Sequence, residues 1–377
     1  MKKEVKMIAF HLPQFHEIPE NNEWWGKGFT EWTNVKRGRK LFPTHYQPKV
    51  PLHNNYYDLG EPEVLIRQAR LAKKYGIYGF CFYHYYFMGK RLLEKPVEQY
   101  LRQKEKIPYC FSWANQSFTR TWYGKNGNNE MLLRQTYGGE EEWVEHFNYL
   151  LPFFQDEKYI KVNNAPMFLI YLPQEFSGCS KMILLWNRLA KEYGFTGIHF
   201  VAMDTWYETR WFPVGFNATV DFEPVRSIRD IPEWINVLRN KRVQSFQEKG
   251  ISQNVWKNAL MADNICTYNM ICRISEKREH FNHIKVNYLG AFTGWDNSAR
   301  KDESGFIIRN STPDKFERYL RKQVKKSFER GNEYLFINAW NEWSEGAYLE
   351  PDDKYGYSYL KSVRKVAGEM AASERRK

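Results

Sequence analysis

Short apolar runs that end in polar residues recur along this chain of 377 residues. Runs of this length with polar or glycine-rich borders are typical of buried β-strands. Most of them are followed by a segment whose apolar residues recur at helical spacing and which closes near glycine or proline. The apolar runs occupy residues 7–15, 78–85, 108–113, 166–171, 198–204, 218–223, 288–296 and 334–342. The helical segments occupy residues 58–75, 94–104, 140–154, 181–193 and 313–330.

This alternation predicts an α/β protein, and within that class a (β/α)8 TIM barrel. Parallel βα units need right-handed crossovers and a sheet covered by helices, and eight consecutive units close more naturally than they stay open. The alternative is a doubly wound open sheet, but no GxGxxG follows an early run and polar residues follow every run instead of clustering at one switch point. We expect a single catalytic barrel domain over residues 1–377, with a helical insertion at residues 224–285 between strands 6 and 7.

Side chains at the carboxyl ends of barrel strands converge on one face, where such barrels carry their active sites. The predicted strand ends are rich in carboxylates, amides and aromatic rings, which bind sugar hydroxyls and stack on pyranose rings. A long aromatic loop after the first strand adds Trp25 and Glu31, and the last segment of the series adds Asn341 and Glu350. The predicted substrate-binding residues are His11, Gln14, Trp25, Glu31, His84, Tyr85, Trp113, Asn115, Asp204, Glu223, Trp295, Asp296, Asn341 and Glu350.

Two further carboxylates, Glu342 and Glu345, follow the eighth run and are predicted to be catalytic. Their spacing would put them on opposite faces of a continuing strand, so both reach one cavity only if the chain turns after Trp343. Gly346 makes such a turn easy. Paired carboxylates on a barrel face favour glycosidic chemistry. The structural alternative is that Glu342 forms a hydrogen bond at the barrel rim while Glu345 is solvated.

Structural roles are also open for several strand-end side chains. The carboxylates would pair with a neighbouring arginine, and the histidines would orient their neighbours by hydrogen bonding. The residues concerned, with the candidate arginines, are Asp204, Glu223, His11, His84, Arg120, Arg226 and Arg300.

The amino-acid composition bears on where the protein is located and on which metals or cofactors it could bind. The chain is 42% hydrophobic, has no apolar run long enough to span a bilayer and no basic-then-apolar leader, so we expect a soluble cytoplasmic protein. None of the five cysteines has CxxC spacing and no HExxH is present. We therefore predict no metal and no cofactor.

The net charge of +12 suits nucleic acid, an anionic membrane surface or phosphorylated substrates, whereas the aromatic content of 17% suits sugar-stacking clefts. No recognition motif supports nucleic-acid binding. A function in carbohydrate binding or conversion is consistent with both the net charge and the aromatic content.

Several long segments resemble the WbsX-type proteins of bacterial surface-polysaccharide gene clusters, which are related to the endo-α-mannosidase-like barrels of glycoside hydrolase family 99. The matching segments are residues 12–35, 45–48, 78–96, 113–115, 119–122, 294–300 and 338–352. The family 99 motif NEW-x-EG falls on residues 341–346. The resemblance implies retention through the sugar 2-hydroxyl, with Glu342 as the base toward that hydroxyl and Glu345 as the acid and then the base. Where WbsX relatives commonly have WANE followed by W-T-R, Gln116 and Phe118 replace the Glu and the Trp.

These observations predict a retaining glycosyltransferase of bacterial surface-polysaccharide biosynthesis, building O-antigen or capsule. Its partners would be an oligosaccharide or lipid-linked sugar acceptor, a nucleotide-sugar donor and, peripherally, the anionic inner face of the membrane. The alternatives are an endo-acting retaining α-glycosidase and a non-catalytic carbohydrate-binding barrel.

Overall fold

Eight parallel strands form the centre of the molecule. The computed structural model describes residues 4–120, 130–205, 212–232, 248, 265–280 and 283–374. The strands are β1 Lys6–His11, β2 Gly79–Phe87, β3 Tyr109–Trp113, β4 Ala165–Ile170, β5 His199–Asp204, β6 Ala218–Asp221, β7 Val286–Phe292 and β8 Tyr334–Asn338. Each of them overlaps one of the eight apolar runs, and their residues are almost all buried, as expected for strands covered on both faces.

The sheet closes on itself. Every strand pairs in parallel with the next one along the chain, from β1–β2 to β7–β8. β8 then pairs with β1, with Tyr334 opposite Lys6 and Ile337 opposite Ala9. The closed barrel confirms the predicted fold and excludes the open doubly wound sheet.

Helices surround the barrel. They are α1 Pro19–Trp25, α2 Glu31–Arg37, α3 Pro62–Lys74, α4 Lys95–Arg102, α5 Glu140–Gln155, α6 Cys179–Glu192, α7 Val225–Arg229, α8 Tyr268–Lys277, α9 Ser298–Lys301, α10 Pro313–Glu329 and α11 Ser358–Glu374. The five predicted helices correspond to α3, α4, α5, α6 and α10. Among the described residues, no helix has the length and apolar character needed to cross a bilayer.

Two differences from the predicted pattern bear on the site. The loop after β1 contains the short helices α1 and α2, which the sequence pattern did not predict because their apolar residues are few and aromatic. Most of the predicted insertion at residues 224–285 lies outside the described residues, which here include α7 and α8. Short paired strands complete the fold: Lys90–Leu92, Phe118–Thr119, Met131–Leu133, Lys161–Val162, Ile265–Thr267, Ile307–Arg309, Asn341–Glu342 and Ala347–Tyr348.

Aromatic side chains fill the barrel interior. The ring of Phe10 on β1 lies 5.3 Å from that of Phe222, which follows β6, and 5.5 Å from that of Phe336 on β8. Because β1 and β6 are not neighbours in the sheet, the contact between Phe10 and Phe222 crosses the barrel. Trp186 and Trp340 are also fully buried. Much of the aromatic surplus therefore serves packing, and only part of it is available for sugar stacking.

The aromatic interior gives a stability prediction. Phe10 is 1% exposed, and Phe10→Ala should lower the free energy of unfolding by about 3–5 kcal/mol because a large cavity is left behind. Leu184, which is 71% exposed, is the control, and Leu184→Ala should change that free energy by no more than about 0.5 kcal/mol. Urea denaturation measures both. Equal losses in the two variants would contradict the assignment of Phe10 to the barrel core.

Candidate active site

The chain after β8 turns back on itself. Asn341–Glu342 pairs antiparallel with Ala347–Tyr348, and the residues between them form a single 3-10 turn, Trp343–Glu345. Gly346 ends the turn in the left-handed region, with φ of +63°, where glycine is favoured. The turn after Trp343 that the spacing of the two glutamates requires is thus present.

Glu342 and Glu345 face the same cleft, which has a volume of about 280 Å³. The cleft lies at the carboxyl-terminal mouth of the barrel, because most of its residues follow the ends of barrel strands. Its lining is Leu12, Gln14, Tyr83, Tyr85, Ala114, Gln116, Phe118, Tyr171, Phe222, Val225, Trp295, Asn297, Arg300, Lys301, Glu342 and Glu345.

One buried arginine joins the carboxylates of this site. Arg300 Nη1 lies 2.6 Å from Glu345 Oε1, and Nη2 lies 2.6 Å from Glu31 Oε1 and 3.5 Å from Glu342 Oε2. Ser344 Oγ donates a further hydrogen bond to Glu31 Oε1. The four charged groups come from α2, α9 and the turn after β8, so the arginine ties together the loops that follow β1, β7 and β8.

The charges around Arg300 are unbalanced. Three carboxylates contact one guanidinium in this buried site, and Lys301 in the cleft lining adds a second positive charge, so the ionised forms of Glu342 and Glu345 are disfavoured. Burial, followed by the charges of Glu345 and Glu31, raises the pKa of Glu342 well above its ordinary value, against the effect of Arg300. Burial and Glu31 also raise the pKa of Glu345, against Arg300. Both carboxyl groups therefore keep a proton to a higher pH than an exposed glutamate does.

Three predicted binding residues line the cleft, namely Gln14, Tyr85 and Trp295. Glu31 reaches the cleft through Arg300. The other predicted residues are absent from the cleft lining, and their surroundings differ.

The two predicted histidines are buried in side-chain contacts. His11 Nε2 donates to Gln68 Oε1 at 3.0 Å, and burial lowers the pKa of His11 to about 4. His84 forms a hydrogen bond of 2.8 Å to His146 between their Nε2 atoms, and burial lowers the pKa of His84 to about 3. Both side chains therefore orient neighbours in this structure, which is the alternative that the sequence left open.

Asn341 and Asn115 clamp backbone. Asn341 Oδ1 accepts from the Leu12 N–H at 2.7 Å, and its Nδ2 donates to the Leu12 carbonyl at 2.9 Å. Asn115 binds the N–H and carbonyl of Leu172 in the same way, at 2.7 and 2.8 Å. Each asparagine thus extends the pairing of two neighbouring strands beyond their ends and fixes the rim on which the cleft is built.

The strand-end carboxylates outside the cleft pair mainly with cations or polar side chains. Asp204 forms ion pairs with Arg226 and Arg229 at 2.7 and 2.9 Å. Glu223 pairs with Arg278 at 2.5 Å. These contacts agree with the structural alternative for both residues, although Arg300, one of the candidate partners, binds the glutamates of the cleft instead.

The remaining predicted residues lie around the rim. Asp296 Oδ2 accepts from His45 and from Gln47, each at 2.8 Å. The Trp25 ring lies 5.4 Å from the Arg120 guanidinium, and the buried Trp113 donates to the backbone carbonyl of residue 86.

Glu350 lies in a buried network outside the cleft lining. Its carboxylate accepts from Gln68 at 2.7 Å, Trp340 at 3.1 Å, Trp343 at 2.7 Å and Tyr57 at 2.8 Å. Burial raises the pKa of Glu350 to about 7, against the four donors. Because Trp340 and Trp343 belong to the segment around the turn at residues 343–345, Glu350 supports that turn.

Several cleft residues were not among the predicted site residues. Tyr83 lies within β2, two positions before Tyr85 and on the same side of the strand, so the alternation of a strand would have identified it. No pattern in the sequence identifies Phe222 or Lys301 as cleft residues. Gln116, which replaces the glutamate common among WbsX relatives, also lines the cleft and removes a negative charge there. No group of three or more histidine, cysteine, aspartate or glutamate side chains in the described ranges could hold a metal ion.

A closed (β/α)8 barrel with two buried glutamates in an aromatic cleft at its carboxyl-terminal mouth is an arrangement typical of carbohydrate-active enzymes. A family model described as Glycosyltransferase WbsX matches residues 7–363, and the chain belongs to this family.

Relatives and solved structures agree with this placement. Two proteins named WxcX, from strains ATCC 33913 and B100 of Xanthomonas campestris pv. campestris, are each 32% identical over 364 residues, or 96% of this chain. The chain spans about half the length, 49%, of these curated relatives. The fold is similar to that of a GH99 endo-alpha-mannosidase from Bacteroides thetaiotaomicron, with a TM-score of 0.58, 13% identity and 99% of each chain covered. A glycoside hydrolase-like protein matches with a TM-score of 0.55, 11% identity and coverage of 97% of this chain and 94% of that one.

Glu350 gives a pH prediction. Its pKa is about 4.5 in the unfolded chain and about 7 in the folded one, so between these values the folded protein holds the proton more tightly. The contribution of Glu350 to the free energy of unfolding is therefore complete below about pH 4.5 and falls by roughly 3 kcal/mol as the pH rises through about 7. Urea denaturation at about pH 5 and about pH 8 measures the loss.

The control for this prediction is a glutamate at the surface. Glu350→Gln should make the pH-dependent loss smaller by roughly 3 kcal/mol, leaving the part that comes from Glu342 and Glu345, whereas Glu303→Gln, at a half-exposed side chain, should keep the whole loss. A loss of the same size in Glu350→Gln and in the wild type would contradict the assignment to Glu350.

Proposed function

We propose that this protein is a retaining glycosyltransferase that uses Glu342 and Glu345 as its proton-transferring pair. The observation that carries the proposal is the placement of both glutamates in one cleft, tied to Arg300 and with their pKa values raised. A rim carboxylate with a purely structural role would be saturated by donors, as Glu350 is. Glu342 and Glu345 instead have fewer positive than negative charges around them, which favours proton exchange with a substrate.

Glu342 is assigned as the base toward the sugar 2-hydroxyl. Burial and the neighbouring carboxylates make it a stronger base, which a poorly acidic hydroxyl requires. In the first step Glu342 takes the 2-hydroxyl proton while O2 attacks C1, and Glu345 gives its proton to the departing glycosidic oxygen. The C1–O bond to the leaving group breaks and a 1,2-anhydro sugar forms, so that charge and protons balance.

In the second step an acceptor hydroxyl attacks C1 from the face that the leaving group left. Glu345 takes the proton of the acceptor, the C1–O2 bond breaks, and Glu342 returns its proton to O2. Two inversions at C1 give net retention. Arg300 lies within reach of both glutamates, and we assign it to stabilise whichever carboxylate is ionised at each step.

The aromatic walls of the cleft are assigned to hold the sugar. Tyr83, Tyr85 and Trp295 line the same cavity as the two glutamates. Flat rings next to polar side chains are the arrangement that binds pyranose faces and hydroxyls together. Gln14 and Asn297 supply amide groups for the hydroxyls.

The biological role proposed is the assembly of a bacterial surface polysaccharide, O-antigen or capsule. The support is the family description and the similarity to WxcX. The donor would be a nucleotide sugar and the acceptor an oligosaccharide or a lipid-linked sugar at the inner membrane face, where the net charge of +12 favours contact with anionic lipids. The cytoplasmic location stays a prediction.

Hydrolysis is the second candidate. The structural neighbours are named as endo-alpha-mannosidase and glycoside hydrolase-like protein, and the same two glutamates would serve if water replaced the acceptor. Incubation with nucleotide sugars and an extracted lipid-linked acceptor, beside an oligosaccharide panel without donor, separates the two. A lengthened acceptor supports transfer, whereas cleaved oligosaccharide without donor supports hydrolysis.

Amide variants of the two glutamates test their roles. On natural substrates, Glu342→Gln and Glu345→Gln should each lower kcat by roughly a hundredfold to ten-thousandfold, because each removes a proton-transfer partner. Substrates with an activated leaving group, such as dinitrophenyl glycosides, need no acid for the first step. Glu345→Gln should therefore still release dinitrophenol, whereas Glu342→Gln should not.

Glu303→Gln, which removes a half-exposed carboxylate near α9, is the matched control and should keep the wild-type rate. Wild-type activity of Glu345→Gln on natural substrates would contradict its assignment as the acid. Equal release of dinitrophenol by the two amide variants would contradict the division of roles between them.

A further inference from the structure

A second cavity, of about 310 Å³, lies beside the catalytic cleft. Trp295 lines both cavities. Asp296 and Gly346 face the second cavity. Their chain neighbours Asn297 and Glu345 face the cleft. The Asp296 N–H donates to the Glu345 carbonyl at 2.6 Å and so joins the two loops. The two cavities are therefore adjacent, and the loops after β7 and β8 contribute to the linings of both.

Cationic side chains dominate the charge of this second cavity. In the described parts of the chain, none of its lysines and arginines forms an ion pair within 4.0 Å. The four cations are Lys49, Arg309, Lys315 and Lys354. Asp296 and Asp352 attract Lys49, and Asp352 also attracts Lys354. The cations outnumber these carboxylates and repel one another, so an anion bound among them would be stabilised.

Two carboxylates also line the cavity, and both have other partners. Asp296 accepts hydrogen bonds from His45 and Gln47. Asp352 accepts from the Tyr348 hydroxyl at 2.8 Å and from a backbone N–H at 2.6 Å. Cations therefore outnumber carboxylates by four to two in the lining, and the carboxylates are already engaged.

Two long helices begin at the cavity. Thr312 is the N-cap of α10, Tyr359 lies in the first turn of α11, and both residues line the cavity. Each helix has 17 residues, and the positive end of a helix dipole favours anions. Phosphate sites of (β/α)8 barrels are frequently built in this place, by the loops after strands 7 and 8 and a helix N-terminus.

A buried polar group without a partner provides an independent observation. Thr293 is 2% exposed and lines the cavity, and no described residue forms a hydrogen bond with its Oγ1. A buried polar group without a partner costs free energy, which an acceptor such as a phosphate oxygen would recover.

We propose that this cavity binds a phosphate or pyrophosphate group carried by the sugar substrate, so that the enzyme takes phosphorylated glycosyl compounds instead of neutral glycans. The identification of the group as part of a sugar substrate rests on the proposed function, whereas binding of the anion does not. Half-buried Lys49 and Lys315 hold the inner part of the site, and exposed Arg309 and Lys354 form its entrance.

Titration calorimetry with inorganic pyrophosphate tests the site without any need for catalysis. The wild type should bind one pyrophosphate. Lys49→Gln combined with Lys315→Gln should weaken that binding roughly tenfold or more, because each lysine is assigned a charge-assisted hydrogen bond. The matched control changes the same charge elsewhere on the same protein, by Lys325→Gln and Lys361→Gln at exposed positions of α10 and α11, and should bind like the wild type.

Two results would overturn the proposal: no binding of pyrophosphate by the wild type, or equal weakening in the control pair, which would show general attraction to a basic surface. If the inner double variant fails to fold by circular dichroism, Lys354→Gln at the entrance replaces it and should weaken binding by roughly threefold or more.

Displacement of pyrophosphate identifies the source of the group. UDP and farnesyl diphosphate share the diphosphate and differ in the nucleoside or lipid attached, and displacement by either one supports the site. Displacement by neither, with pyrophosphate bound, would contradict a role in holding the substrate. Glu345→Gln should bind pyrophosphate like the wild type, so a failure of the catalytic assignment is distinguishable from a failure of this site.

Discussion

The arrangement of the mouth of this barrel depends on one buried guanidinium. Arg300 neutralises part of the charge of Glu31, Glu342 and Glu345, which come from two loops far apart in sequence, while Arg300 itself comes from a third. A buried carboxylate without a cation is strongly unfavourable, and three together would separate the loops. The same cation does not offset the burial of Glu342 and Glu345, whose pKa values are raised. The contact between the loops and the raised pKa values thus follow from one imbalance of charge.

The barrel makes this imbalance possible. Closure between β8 and β1 brings the loop that starts α2 beside the turn at residues 343–345, and the pairing of β7 with β8 adds the loop that carries Arg300. Asn341 and Asn115 hold the rim by binding backbone, and Glu350 anchors the turn through two tryptophans. In the sequence the predicted site residues look like one set of sugar ligands. In the structure some of them line a small cleft, and the others form the network that supports it.

The sequence predicted the strands of the barrel better than it predicted which side chains line the cleft and which support it. All eight strands followed from apolar runs because burial on both faces leaves a local mark in sequence, and the turn after Trp343 followed from the spacing of two glutamates. Arg226 was among the candidate arginines and does pair with Asp204. The partners of Glu223, Asp296 and Glu350 did not follow, because each pairing depends on which loops meet after closure. For the same reason Arg300 was considered as a partner of the wrong carboxylates. The high aromatic content was only partly a sign of sugar binding, because aromatic residues such as Phe10 and Trp186 are buried in the core and do not line the cleft.

The central claim is that the glutamates around Arg300 retain a proton that an exposed glutamate would have lost. Carbon-13 NMR of glutamate carboxyl carbons between about pH 4 and about pH 8 measures this directly, with Glu342→Gln and Glu345→Gln identifying the two resonances. The account predicts that both titrate above the ordinary value of 4.5, and that they titrate together. Independent titration of both groups at or below 4.5 would contradict it.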